Sequence, residues 1–347
     1  MITNFFGTSN IGTYRAELMG ISTWMILLLH FPLFNNTLLR SIQANFFLGV
    51  DIFIMLSGFG LYYSLSRNNN IKKFYLKRLC RILPFYFFIC VVFTVLKGDG
   101  IANFILYFST LGFYAGINYD WFVPFVLFYY LLYPPLLKFV NNRAELLIVM
   151  CLVTAVLAFL SLLCLEVNAD QTLYISRIPV SFIGIGLAIA NTYGDMRQAK
   201  YVKIVCACSL VMVLVLYWAN SQWPIANIMS YTLLKSLLSV VLLLGITNIL
   251  MPRLPVFLLK FLSWVGQFSL EIYLIQKLFI YHNSEPLFPF YEGRISNFLC
   301  IIFSMVIAVI LCQVKECCMD SLIKSRIIKI KDRIFLKENI KKANCKK

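Results

Sequence analysis

Apolar stretches long enough to cross a bilayer recur along nearly the whole chain, separated by short polar runs. A bilayer core takes about 20 mostly apolar residues per helix. On that length the pattern predicts spans near residues 17–34, 46–66, 81–97, 121–138, 145–165, 173–192, 202–219, 229–250, 261–280 and 296–314. One further run, IANFILYFSTLGFYAG at 101–116, is short and rich in glycine and aromatic residues. It reads as an eleventh span or as a re-entrant or interfacial segment.

Lys and Arg positions choose between these topologies, because short cytoplasmic loops carry them in excess. With ten spans and both termini inside, the basic stretch Arg67–Arg81, then Lys138 with Arg143, then Arg197, Lys200 and Lys203, then Arg253 with Lys260, and the tail from Lys315 all fall on the cytoplasmic face. The outer loops keep only Arg40, Lys97 and Arg294. An eleventh span would turn several basic loops and the tail outward. The expected fold class is therefore all-α: a polytopic integral membrane helix bundle of about ten transmembrane helices in the inner (cytoplasmic) membrane.

Composition agrees. Of 347 residues, 61% are apolar and 13% charged, which an ordinary soluble domain does not reach. The formal charge of +16 could point to nucleic acid, but the basic residues lie in short runs between spans, so it reads as topology. Eleven cysteines are scattered without metal-ligand spacing and read as small apolar side chains, so neither a metal nor a disulfide framework is expected. The start, MITNFFGTSNIGTYR, lacks a basic n-region, and the first span is expected to be retained. Residues 1–320 read as one transmembrane domain and 321–347 as a basic cytoplasmic tail lying on the anionic inner leaflet.

Ionisable groups at membrane depth are costly unless they face the bundle interior, so each is a functional candidate. His30, Asp51, Arg177, Lys235 and Lys277 fall at the outer ends of their spans, with Trp121 beside them, and together read as an outward-opening polar pocket. Glu271 sits mid-span, where pairing within the bundle is the simpler reading. Arg15 and Glu17 lie at the inner end of the first span. Glu17 and His30, thirteen residues apart, are separated by about 20 Å along a helix and cannot touch.

Several positions admit two readings on spacing alone. A neutral imidazole at His30 can act as general base, or it can be a histidine hydrogen-bonded between helices. Asp51 can orient and stabilise that imidazole, or cap the second span. Arg78 and Arg81, at i and i+3 in FYLKRLCRILP, can anchor the helix at the inner face or grip a phosphate-bearing ligand. Ser57 in LSGFG reads as a close helix contact rather than a nucleophile.

The ordered segments RAELMGISTWMILLLH, FFLGVDIFIMLSGFGL, FYLKRLCRILPFYFF, WFVPFVLFYYLLYPPL, SRIPVSFIGIGLAIA and GQFSLEIYLIQ resemble the membrane acyltransferase-3 family from about residue 11 to 315. The resemblance implies a ten-helix enzyme that takes an acyl group, usually acetyl, from cytoplasmic acyl-CoA and gives it to a hydroxyl of a cell-envelope carbohydrate. It implies no bound cofactor, acetyl-CoA or another acyl-CoA being the donor substrate. His30 matches the family's essential histidine, and Arg78 with Arg81 match the paired arginines that serve the CoA donor. Asp51 is expected beside His30; Trp121, Arg177, Lys235 and Glu271 are expected to form the acceptor pocket.

Two departures stand out. Where many members carry an arginine eleven positions before the histidine, this chain has Met19, so Arg15 and Glu17 of the R-x-E-L start are expected to take over at the CoA site. Where many end the ninth-helix motif in histidine, this chain has Gln276, which cannot titrate. The rival readings are a transporter or flippase, which broken helices and internal symmetry would favour, and a non-catalytic membrane scaffold, which gives no reason for a buried His30.

Overall fold

A computed structural model describes residues 7–34, 36–67, 70–116, 120–139, 173–174, 177–192, 238–281 and 293–314. The spans expected over 145–165 and 202–219, Lys235, and the tail 321–347 lie outside them. The described residues are helical, with no strand among them. In order they form α1 (Ser9–Thr13), α2 (Arg15–His30), α3 (Thr37–Gln43), α4 (Leu48–Ser66), α5 (Ile71–Lys97), α6 (Ile101–Phe108), α7 (Leu111–Tyr114), α8 (Phe122–Phe139), α9 (Ile178–Asn191), α10 (Leu238–Arg253), α11 (Val256–Gln267), α12 (Ser269–Tyr281) and α13 (Arg294–Val314).

Three described stretches are long and apolar enough to cross a bilayer: Thr37–Ser66, Ile71–Lys97 and Arg294–Val314. The pair α11 and α12 makes a fourth if it is taken as one broken span, bent by 67°. The single span expected over 261–280 is thus two helices that meet at Phe268. The break leaves the carbonyl of Gln267 free of the helical ladder, and the Arg81 guanidinium donates to it at 3.4 Å.

Helix ends follow their capping residues. Asn70 opens α5 by accepting from the backbone N–H of Lys73 at 2.9 Å, and Gly98, at φ 70°, closes it in the left-handed conformation open to glycine. α5 therefore starts ten residues before the apolar run expected at 81–97, and FYLKRLCR lies in its first turns, as the helical spacing of Arg78 and Arg81 implied. Asp120 opens α8 by accepting from the N–H groups of Phe122 and Val123.

The segment 101–116 breaks into α6 and α7, neither of spanning length. It folds back on α5: the Tyr86 hydroxyl donates to the Tyr107 carbonyl at 3.0 Å, and the Tyr107 hydroxyl to Asp99 at 2.7 Å. That last bond holds the Asp99 carboxyl below the usual carboxylate range.

Glycines set how closely the central helices approach. A Cβ on Gly20 or Gly266 would lie 2.0 Å from a backbone oxygen of Leu262 or Ala16, so α2 and α11 meet backbone to backbone. α4 and α9 do the same, Gly58 against the Ser181 carbonyl and Gly184 against that of Met55. Gly49 brings α4 onto Ser22 and Met25 of α2, while Gly60, one end further along, faces Arg15, so α4 runs antiparallel to α2. In lipid, where apolar burial gives helices little reason to associate, such close packing is what holds them together.

Two glycines of α9 separate these effects. A Cβ on Gly184 would lie 2.1 Å from the Met55 carbonyl oxygen, whereas one on Gly186 meets nothing within 4 Å. Gly184→Ala is expected to destabilise the protein by about 1–3 kcal/mol through overpacking. Gly186→Ala should be neutral or stabilise by up to about 1 kcal/mol through helix propensity. Thermal unfolding in detergent decides; equal midpoints for the two variants would refute the close crossing.

Candidate active site

One face of α2 organises the site. Arg15, Met19, Thr23, Ile26 and His30 are spaced four, four, three and four residues apart, which stacks them in a single stripe about 22 Å long.

At the Arg15 end, Arg15 and Met19 line a cavity of about 220 Å³ together with Ser57 of α4, Arg78 and Arg81 of α5 and Tyr130 of α8. Arg15 donates from Nε to the Leu56 carbonyl at 3.3 Å, and its guanidinium occupies the space that a side chain at Gly60 would take. The Arg78 guanidinium lies 5.6 Å from the ring centre of Tyr130 and 5.7 Å from that of Phe74. Arg15 feels the positive charge of both Arg78 and Arg81. Among the described residues no carboxylate lines the cavity. Three guanidinium groups at one cavity suit a polyanion, since the forked donors of arginine match phosphate oxygens.

Phe53, Phe122, Ser269 and Leu270 roof this cavity and, beyond it, line a narrow gap of about 10 Å³ that also touches Thr23, Ile26, Tyr273 and Gln276. The gap has room for about one water molecule. The rings of Phe53 and Phe122 meet edge to face across it at 5.7 Å. Ser269, the first residue of α12, is buried with its Oγ unbonded among the described residues, and it borders both spaces.

His30 stands one turn past Ile26. Gln276 fixes this level: its Nε2 donates to the Ile26 carbonyl at 3.1 Å, tying α12 to α2 next to the histidine. Lys277 follows in sequence, and its charge acts on the imidazole. Among the described residues the His30 ring makes no hydrogen bond, which leaves it free of the interhelical bonding that a purely structural histidine would show.

The remaining expected residues divide. Asp51 forms a buried ion pair with Arg177, Oδ1 to Nε 3.2 Å, and Arg177 lies 5.3 Å from the ring centre of Trp121. Asp51, Arg177 and Trp121 are thus one cluster, as expected for the outer layer, but the carboxylate's charge is spent on Arg177, while Lys277 is the charged neighbour of His30. Glu17 does not reach the arginine cavity: two positions after Arg15 on a helix, it points to the opposite side, and its Oε2 is buried without a hydrogen bond among the described residues. Glu271 is buried and makes no ion pair among the described residues. Lys235 lies outside the described residues.

Three participants carry little signal in the sequence. Asp120 is legible only as a capping residue, yet it also accepts from the buried Tyr273 hydroxyl, joining α8 to α12. Ser269 is one polar residue in an apolar run until the chain breaks in front of it. Tyr130 is one of many aromatics in its helix until Arg78 stacks on it.

A family profile described as an acyltransferase domain, acyltransferase 3, matches residues 18–314. Arg15 and Glu17 precede the matched stretch. No curated protein and no solved structure matches the chain.

The Asp51–Arg177 pair makes its own prediction. Losing one partner of a buried pair costs about 3–5 kcal/mol, whereas replacing both by apolar residues of similar volume costs far less. Asp51→Leu is therefore expected to lower the unfolding midpoint in detergent, and adding Arg177→Met to recover much of the loss. A single variant as stable as the wild type, or a double variant less stable than the single, would show that the pair does not hold α4 to α9.

Proposed function

Because the chain belongs to the acyltransferase-3 family, we propose that this membrane acyltransferase is an O-acyltransferase that moves an acyl group, acetyl first among candidates, from cytoplasmic acyl-CoA to a hydroxyl of a cell-envelope carbohydrate such as an O-antigen, capsule or exopolysaccharide. The observation that carries the reading is the single stripe on α2, which runs from a polyanion site at Arg15 past the gap at Thr23 and Ile26 to His30. A donor with phosphates at one end of a long arm and a thioester at the other fits that order. The topology that goes with it has ten spans in the inner membrane, both termini and the arginine cavity on the cytoplasmic side, and His30 toward the outer face.

In this reading the CoA phosphates bind Arg15, Arg78 and Arg81, and the acylated arm enters between Phe53 and Phe122, whose rings part to admit it. Ser269 offers its unbonded hydroxyl to the arm's amides. At the far end His30 takes the proton of the acceptor hydroxyl as that oxygen attacks the thioester carbonyl. The tetrahedral intermediate collapses with cleavage of the C–S bond, and the proton held on His30 passes to the departing CoA sulfur. Transfer is direct, without an acyl-enzyme intermediate. The acceptor comes from the side of the Asp51–Arg177–Trp121 cluster.

A transporter gains one supporting feature, the broken helix α11–α12. The break, however, presents Gln267 and Ser269 to the arginine cavity, and membership of an acyltransferase family favours chemistry there.

General base catalysis typically contributes about a hundred- to ten-thousand-fold in rate. His30→Ala is expected to reduce transfer of radiolabelled acetyl from acetyl-CoA by that range while the protein remains folded and still binds CoA. Near-normal transfer by this variant would remove His30 from the chemistry. Arg78→Gln with Arg81→Gln should weaken CoA binding at least tenfold in calorimetry without changing membrane insertion; equal affinity would return the pair to an anchoring role.

A further inference from the structure

A second cationic space lies beside the arginine cavity. It measures about 420 Å³ and is lined by Arg67 and Tyr63 at the end of α4 and by Lys73, Phe74, Lys77 and Arg78 in the first turns of α5. That volume falls within the range of ligand pockets, about 300–1,000 Å³. Four basic side chains border it and no carboxylate does. Arg67, Lys73 and Lys77 form no ion pair among the described residues. The opening turn of α5 contributes in the same sense, since a helix of this length carries partial positive charge at its N-terminus.

Two features separate this space from a basic strip that merely faces anionic lipid. It is a concavity whose walls include the aromatic rings of Tyr63 and Phe74, and Tyr63 is fixed by the Asn191 amide, which donates to its hydroxyl at 2.7 Å. An aromatic face beside cations is the chemistry that receives a nucleobase carrying phosphate. It also shares Arg78 with the arginine cavity, so the two spaces are neighbouring compartments with one guanidinium between them.

We propose that this outer compartment holds the nucleoside end of the acyl donor, with Arg67, Lys73 and Lys77 around its 3′-phosphate, while Arg15, Arg78 and Arg81 hold the diphosphate. The enzyme then distinguishes a 3′-phosphorylated donor from one that lacks that group. This rests on the acyl-CoA reading given above and assigns the donor a second, separable contact. A phosphate there could equally belong to a lipid headgroup, so the test includes lipid.

The full-length protein in phosphatidylcholine nanodiscs is titrated with CoA and with 3′-dephospho-CoA by calorimetry. The wild type is expected to bind CoA about ten- to a hundredfold more tightly, as charge-assisted phosphate contacts of this kind provide. Lys73→Gln with Lys77→Gln, both at exposed positions and so without effect on folding, should bring CoA down to the affinity of dephospho-CoA and leave the latter unchanged. Equal binding of the two ligands by the wild type overturns the proposal while leaving the donor reading intact, and so does discrimination that survives in the variant. Failure of both ligands to bind overturns the donor reading and this proposal with it. Discrimination that disappears when phosphatidylglycerol replaces phosphatidylcholine, with dephospho-CoA affinity constant, assigns the compartment to lipid phosphate instead.

Discussion

Arg15, Arg78 and Arg81 bring three positive charges to one cavity, and like charges so placed repel one another. That constraint shapes the rest of the molecule. Arg15 comes from α2, Arg78 and Arg81 from α5, and the cavity they share has no carboxylate in its walls. The charges are instead spread over neutral acceptors: the Leu56 carbonyl takes Arg15, the Gln267 carbonyl takes Arg81, and the ring of Tyr130 takes Arg78. Such neutral partners hold the side chains in place while leaving their donors directed at the cavity, which is the arrangement the proposed donor phosphates would use.

The frame that keeps these side chains in position is made of missing ones. Gly60 gives Arg15 its seat, and a Cβ there would lie 2.8 Å from the Arg15 Nη2. Gly20 and Gly266 press α2 onto α11, the chain breaks at Phe268 close to the cavity, and the break supplies both the carbonyl that receives Arg81 and the buried hydroxyl of Ser269. A continuous helix over 261–280 would have used that carbonyl in its own ladder. The bend is thus part of the site.

Much of this was legible in the sequence, and what was not has identifiable causes. Membrane character and helical class follow from the length and spacing of apolar runs, and His30, Arg78 and Arg81 stand out because ionisable residues are rare in such runs. Arg15 could be joined to the CoA set only through the family resemblance, because its distance from Arg78 depends on how α2 and α5 pack. The same resemblance paired Glu17 with it, and helix geometry separates them: two residues apart is about 200° of rotation. Asp51 was expected beside His30, since both fall at outer ends of spans. Level along the membrane does not fix rotation about a helix axis, and the pairing went to Arg177 instead. The 67° break had no proline to announce it, only Gly266 and the polar pair Gln267 and Ser269 around Phe268.

The narrowness of the gap beyond the arginine cavity makes chemical sense for the proposed reaction. A thioester carried into a wide aqueous channel would meet water far more often than an acceptor hydroxyl, and hydrolysis would compete with transfer. With room for about one water, and with Phe53 against Phe122 across it, the passage stays closed to bulk solvent unless something displaces those rings. In the proposed reaction, binding energy gathered by the donor's phosphates at the distant arginines would supply that displacement, because contacts remote from the reacting bond can offset the cost of rearrangement near it. In the proposed reaction the separation of about 22 Å along α2 between Arg15 and His30 would serve a purpose that a compact site could not: the end that recognises the donor would open the way for the end that reacts, so that the imidazole meets a thioester only after its carrier is held.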